Sequence, residues 1–216
     1  MINKVFKDFE GKHESKVAVL FGSGPSLQKY KPIDDVEIQV GTNFIGDFHQ
    51  FNQSSDNYDT LDYYFFGDRG RCMSADFKVK IAKFGASEVD GMPHVLHYTE
   101  KEIEDFGAYP MSVTNANPIF ELDISSNPTH GMSVIFHALN FLLYTKVSKI
   151  YIVGCDCSER LCFDGREIIN SGDGTYEMYK QGWYRAKEFI ENNDIKTEII
   201  SVNPVGLKGL FKEIIL

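Results

Sequence analysis

The chain has 216 residues, of which 43% are hydrophobic, and a formal charge of −9. That length fits one large domain, and 17 Phe and 11 Tyr supply core material, which argues against disorder. The acidic balance disfavours nonspecific nucleic-acid binding and an anionic membrane partner, and no run approaches the ~18 apolar residues that a membrane span needs. The N-terminal stretch MINKVFKDFEGKHESK lacks an apolar signal-peptide region, so a cytoplasmic protein is expected, with peripheral attachment to the inner membrane left open.

The first predicted strand, KVAVLF (16–21), is a continuous apolar run of the kind buried on both faces of a sheet. It leads into Gly22, Ser23, Gly24, Pro25 and Ser26. Glycines permit close backbone approach, Pro25 suits a first helical position, and unpaired amides at a helix start favour an anion. Two readings stay open: a tight strand-to-helix corner, or a corner kept bare for a phosphate-bearing ligand. Leu27 stands where the dinucleotide fingerprint needs its third glycine, and a Walker loop would need a Gly-Lys-Ser/Thr ending.

VEIQVG (36–41) is the second strand, and Asn43 follows it, able to donate to and accept from a base or ribose, or simply to form a turn. DYYFFG (62–67) is the third, followed by Asp68 and Arg69; an arginine there could fork onto a phosphate or sugar carboxylate, or be a solvated loop charge. A short fourth strand is expected at HVLH (94–97). Residues 98–130, rich in Asn, Pro, Ser and Thr, read as a long lid excursion, within which IFELDI (119–124) is left open between strand and loop.

Met132, Ile135, Phe136, Leu139, Leu142 and Leu143 form a helical stripe, with Thr129 as the expected N-cap and Gly131 leaving the first turn uncrowded. His130 would sit beside the positive helix end as phosphate ligand or proton carrier, whereas His137 inside the helix reads as packing. KIYIVG (149–154) is a further strand, and the nearby Asp156 could bind a ribose or sugar hydroxyl or Mg²⁺, or cap a turn. Cys155, Cys157 and Cys162 do not have zinc-ribbon spacing and, with Cys72, read as structural thiols in a reducing compartment. A second stripe through Tyr179, Trp183, Ala186, Phe189 and Ile190 precedes the strand KTEIISV (196–202). Strands alternating with helices predict a single domain over 1–216: a Rossmann-like α/β/α sandwich whose open, mainly parallel sheet has helices on both faces. Its ligand site belongs beyond the carboxyl ends of the strands.

The series GSGPSL, TNF, THGMSVIFHAL, KIYIVGCDCS and SVNP, over about residues 16–204, resembles the bacterial sialyltransferases of glycosyltransferase family 42. It also resembles the wider group of motility-accessory-factor and 6-hydroxymethylpterin diphosphokinase-like proteins. The resemblance implies a nucleotide-sugar site in which Gly22, Ser23, Gly24 and Asn43 hold the cytidine monophosphate part, Thr129 and Gly131 add contacts, and Asp156 belongs to a Gly-x-Asp element. Pro25, Ser26, Asp68 and Arg69 complete the expected nucleotide-binding set. The chain departs from those enzymes in two ways: His130 replaces a small residue, and no histidine follows His137, where the family carries its base.

His130, Glu177 and Asp173 are therefore the candidate bases for deprotonating an acceptor hydroxyl, and Arg69, Arg160, Tyr176 and Tyr179 the candidate supports for a leaving phosphate. The leading expectation is a glycosyltransferase that needs no cofactor or metal and uses a CMP-linked acidic sugar or related nucleotide sugar to modify a glycan or other hydroxyl acceptor. One alternative is an ATP-dependent diphosphokinase in which Asp68 or Asp156 helps to hold Mg²⁺. The other is a noncatalytic nucleotide-binding module, and the state of oligomerisation is open.

Overall fold

The structure is a computed structural model that describes residues 2–43, 45, 61–67, 77–84, 86–89, 92–96, 98–112, 120–127, 133–158, 161–165 and 175–216. Its strands are β1 (Val17–Phe21), β2 (Ile38–Thr42), β3 (Tyr63–Phe66), β4 (Val79–Phe84), β5 (Ala86–Val89), β6 (Met92–Leu96), β7 (Tyr109–Ser112), β8 (Lys149–Val153), β9 (Glu198–Val202) and β10 (Lys212–Ile214). Its α-helices are α1 (Glu100–Asp105), α2 (Val134–Tyr144) and α3 (Thr175–Asn192), and two 3₁₀ segments span Ile2–Phe9 and Pro25–Lys29.

Eight strands form one parallel sheet in the order β10-β9-β8-β1-β2-β3-β4-β7. The continuous apolar runs divide by the two-residue period of a strand into two cores. Ala18, Leu20, Tyr63, Phe65, Ile150 and Ile152 face one side, packed with Phe136 and Leu139 of α2 and Trp183 of α3. Val19, Phe21, Tyr64, Phe66, Tyr151 and Val153 face the other, packed with Leu27 and with Ile103 of α1. The sheet is thus covered on both faces, as an open Rossmann-like α/β fold requires.

From β1 the chain builds outward through β2, β3, β4 and β7, then returns to place β8 on the other flank of β1, with Phe21 in register with Val153. Strand order reverses between β1 and β8. Their connections leave in opposite directions and open a crevice at their carboxyl ends.

The structure bears on three of these readings. HVLH overlaps β6, which pairs antiparallel with β5 in a separate two-stranded sheet and takes no part in the main one. Within the excursion expected over 98–130, residues 98–112 are regular, since a Thr99–Glu102 capping box starts α1 and β7 forms the edge of the main sheet, while 113–119 and 128–130 lie outside the described residues. Pro110 obscured β7 in the sequence, and it is tolerated because an edge strand bonds one neighbour only. Residues 120–124 form no strand, because the Asn140 side chain takes the place of a ladder, donating to the Glu121 carbonyl at 2.8 Å and accepting from its amide at 2.9 Å. No helix among the described residues is long and apolar enough to cross a membrane.

Candidate functional site

The glycine corner after β1 is built against the loop after β8. Gly22 donates its amide to Val153 O at 2.8 Å and Gly24 to Gly154 O at 2.7 Å, extending the β1–β8 pairing beyond the strands. A Cβ on Gly22 would lie 2.6 Å from Gly154 O, and one on Gly24 would lie 2.7 Å from the same oxygen and overlap the Asp156 carboxylate. Gly154 reciprocates with φ +67°, its own Cβ position 2.5 Å from Gly22 O. The bare corner therefore has a cause inside the protein, namely contact between two loops.

Asp156, 6% exposed, accepts from the Ser26 amide at 2.7 Å and closes the start of the Pro25–Lys29 segment. With the Leu27 amide bonded to Gly24 O at 3.1 Å, the amides of Gly22, Gly24, Ser26 and Leu27 all have partners. An anion at this 3₁₀ start would meet a carboxylate already in place.

Beyond this corner lies a cleft of about 170 Å³. Gly22 to Pro25 and Gly154 to Cys157 form its floor, and Thr42 and Asn43, at the end of β2, form one wall. Asn43 is held at φ +44°, its amide donating to Phe65 O at 2.9 Å and its Oδ1 accepting from the Gly67 amide at 3.2 Å, while Tyr64 donates to its carbonyl. Ser133, Val134 and Ile135 present the start of α2. Ser133 is the N-cap in extended conformation, yet its side chain makes no capping bond.

The start of α3 supplies the remaining aromatic wall. Tyr176, Tyr179 and Trp183 recur at helical spacing and line the cleft, the two tyrosine rings meeting edge-on with centroids 6.3 Å apart. The Tyr176 hydroxyl is buried and has no hydrogen-bond partner among the described residues. Burial pushes the Cys155 thiol well above its ordinary value and Cys157 up to about 12. Both are neutral thiols at physiological pH, which makes them poor nucleophiles.

The fold thus brings Gly22, Ser23, Gly24, Pro25, Asn43 and Asp156 to one cleft at the reversal point. Ser26 lies beneath it, 6% exposed. Glu177 does not line it, since its exposed carboxylate accepts from Gln181 at 3.1 Å along α3. Asp68, Arg69, Thr129, His130, Gly131, Arg160 and Asp173 lie outside the described residues. Sequence reasoning did not single out Thr42 or Ser133, and it read Trp183 only as a packing residue. A serine immediately before Val134-Ile135 was a legible N-cap signal, overshadowed by Thr129 upstream.

No protein-family model and no curated protein matches the chain.

Proposed function

We propose that the cleft binds a nucleotide and that the chain transfers a sugar from a CMP-linked or related nucleotide donor to a hydroxyl acceptor. One observation carries this reading: the ends of β1, β2 and β8 and the starts of α2 and α3 converge where strand order reverses. The start of α2 lines the cleft, and the peptide N–H groups of a helix start suit a phosphate. In the transfer, an acceptor oxygen attacks the anomeric carbon, the bond from that carbon to the phosphate oxygen breaks, and the phosphate leaves with the electron pair. A base takes the acceptor proton. His130 and Asp173, three residues before Ser133 and Tyr176 respectively, are the candidates carried forward, whereas Glu177 is set aside because it does not line the cleft.

A noncatalytic nucleotide module is the second reading, favoured by the wall itself: Asp156 is engaged as a cap and both thiols are protonated. Engagement of Asp156 by the Ser26 amide also weakens its claim as a Mg²⁺ ligand for diphosphate transfer.

Thermal unfolding with cytidine, CMP, UDP, ATP and ATP plus Mg²⁺ tests these readings. Binding to the native state alone should give ~2.7 kcal/mol of stabilisation at one hundred times Kd, a shift of several degrees. CMP should stabilise more than cytidine, and CMP-sugar turnover should fall ~10²–10⁴-fold in the variant lacking the true base, with His130→Ala and Asp173→Asn the two to compare. No shift with any nucleotide removes the proposal. A CMP shift without turnover leaves the module, and stabilisation only by ATP plus Mg²⁺ favours the kinase.

A further inference from the structure

Among the described residues that line the cleft, Asp156 alone carries a full charge, and that charge is negative, on a chain whose formal net charge is −9. A phosphate held there by peptide N–H groups alone would be opposed by both, so a cation within reach decides whether the cleft retains it.

Lys180 stands where such a cation is needed. Tyr176 and Tyr179, then Lys180 and Trp183, follow one another at steps of three, one and three residues, so Lys180 shares the face of α3 whose three aromatic residues wall the cleft. A helical side chain leans toward the amino end of its helix, which carries the Lys180 stem back over the turn that holds Tyr176. Its charge is felt on the cleft floor: burial pushes the Cys157 thiol up, and the Lys180 ammonium is among the groups that act the other way.

Lys180 is half-buried, does not itself line the cleft, and makes no ion pair or hydrogen bond among the described residues. Its nearest carboxylate along the helix, Glu177, accepts from Gln181 at 3.1 Å, and Asp156 accepts from the Ser26 amide. Lys187, two turns further along α3, is by contrast tied to the Leu210 carbonyl at 3.1 Å. A half-buried ammonium without a counter-charge has lost part of its hydration and gained no partner, and an anion beside it restores the balance.

We propose that Lys180 is a specificity-determining residue of the cleft, whose ammonium swings over the Tyr176 and Tyr179 wall to pair with the phosphate of a bound nucleoside monophosphate. The flexible four-carbon stem and rotatable donors of a lysine allow this without movement of α3. This role rests on the reading of the cleft as a nucleotide site, and it names the group that makes a nucleotide preferred over its nucleoside.

Isothermal titration calorimetry of the full chain with CMP and with cytidine, at low and at physiological ionic strength, tests it. Lys180→Met, which keeps the bulk of the stem and removes the charge, should weaken CMP about three- to tenfold, leave cytidine unchanged and flatten the decline of CMP affinity with salt. Lys180→Arg should keep most of the preference for CMP. Lys101→Gln, which removes a charge from α1 on the other face of the sheet, should keep all of it. Thermal midpoints of Lys180→Met and Lys180→Gln should match that of the wild type, which separates loss of a ligand contact from loss of fold. Equal wild-type affinity for CMP and cytidine, an unchanged CMP affinity in Lys180→Met and Lys180→Gln, equal weakening of CMP and cytidine in them, or the same loss in Lys101→Gln would each overturn the role of Lys180 and leave the nucleotide site standing. A wild-type chain that binds neither CMP nor cytidine overturns the nucleotide reading and this role with it.

Discussion

Gly24 and Asp156 confront each other across the junction of β1 and β8, and each constrains what the other position can hold. In Gly24→Ala the new methyl would press on Gly154 O and on a carboxylate tied to the Ser26 amide. Neither neighbour is a flexible chain end, so the overpacking should cost ~1–3 kcal/mol, read as a lower urea midpoint. Asp156→Ala should cost a similar ~1–3 kcal/mol by leaving a buried amide unpaired, while Asp156→Asn, which keeps an acceptor oxygen, should cost less. If Gly24→Ala instead leaves the midpoint unchanged and abolishes stabilisation by CMP, the corner is bare for the ligand and not for Asp156. The residues of this corner were legible in the sequence. The reason for their smallness was not, because it resides in Gly154 and Asp156, 132 positions from Gly22 and Gly24 respectively.

Gly182 shows how two elements approach closely enough to wall the cleft. It lies inside α3 against the ring of Phe136 from α2, and Trp183 beside it meets that ring edge-on at 5.4 Å between centroids. Alanine there would gain about 0.8–1.0 kcal/mol of helix propensity. Its methyl, however, would lie 2.5 Å from Phe136 Cε2, on a ring that is 2% exposed and also wedged against Phe120 at 6.1 Å. With overpacking at ~1–3 kcal/mol, the clash should exceed the propensity gain and Gly182→Ala should lower the thermal midpoint. A rise would mean that the two helices do not meet here. The stripes of α2 and α3 were readable because 3.6-residue periodicity is local. The start of α2 was misplaced because Thr129 and Ser133 are equally good caps in isolation, and β4 was overlooked because Lys80 and Lys83 interrupt its apolar pattern. Lys83 is nevertheless 3% exposed, a burial that no pattern rule anticipates.

At the scale of the whole molecule, the N-terminal segment is fastened across the sheet by aromatic packing and one buried polar pair. Phe6 and Phe9 pack on Phe141, and a 2.7 Å hydrogen bond joins His13 Nε2 to the Tyr63 hydroxyl. Burial, assisted by Lys12, holds His13 below its ordinary value of 6.5, and burial raises Tyr63 to about 12. Both groups are therefore kept neutral in the folded state, and stability should fall on both sides of a plateau. Below about pH 6.5 the unfolded chain takes up a proton that native His13 resists, so stability declines until the pH passes below the folded value. Above about pH 10 the unfolded chain releases a tyrosine proton that native Tyr63 retains, so stability declines again up to about 12. Urea midpoints measured across pH should show both limbs. Tyr63→Phe should remove the contribution of Tyr63 to the alkaline one, and an unchanged alkaline slope in that variant would show that Tyr63 is not its source.

The sequence by itself determined that this chain alternates buried strands with helices, that its sheet is parallel and covered on both faces, and that its small and polar loops follow the carboxyl ends of strands. Those are consequences of local periodicity and turn chemistry, which act within a few residues. Tertiary structure alone decided that β8 lies beside β1, that Ser133 and Tyr176 join the cleft while Glu177 does not, and that a second cavity lies at the opposite, amino-terminal ends of the strands. The period of a strand or helix selects the face a side chain occupies, whereas the order of strands in the sheet selects the distant residue that it meets there.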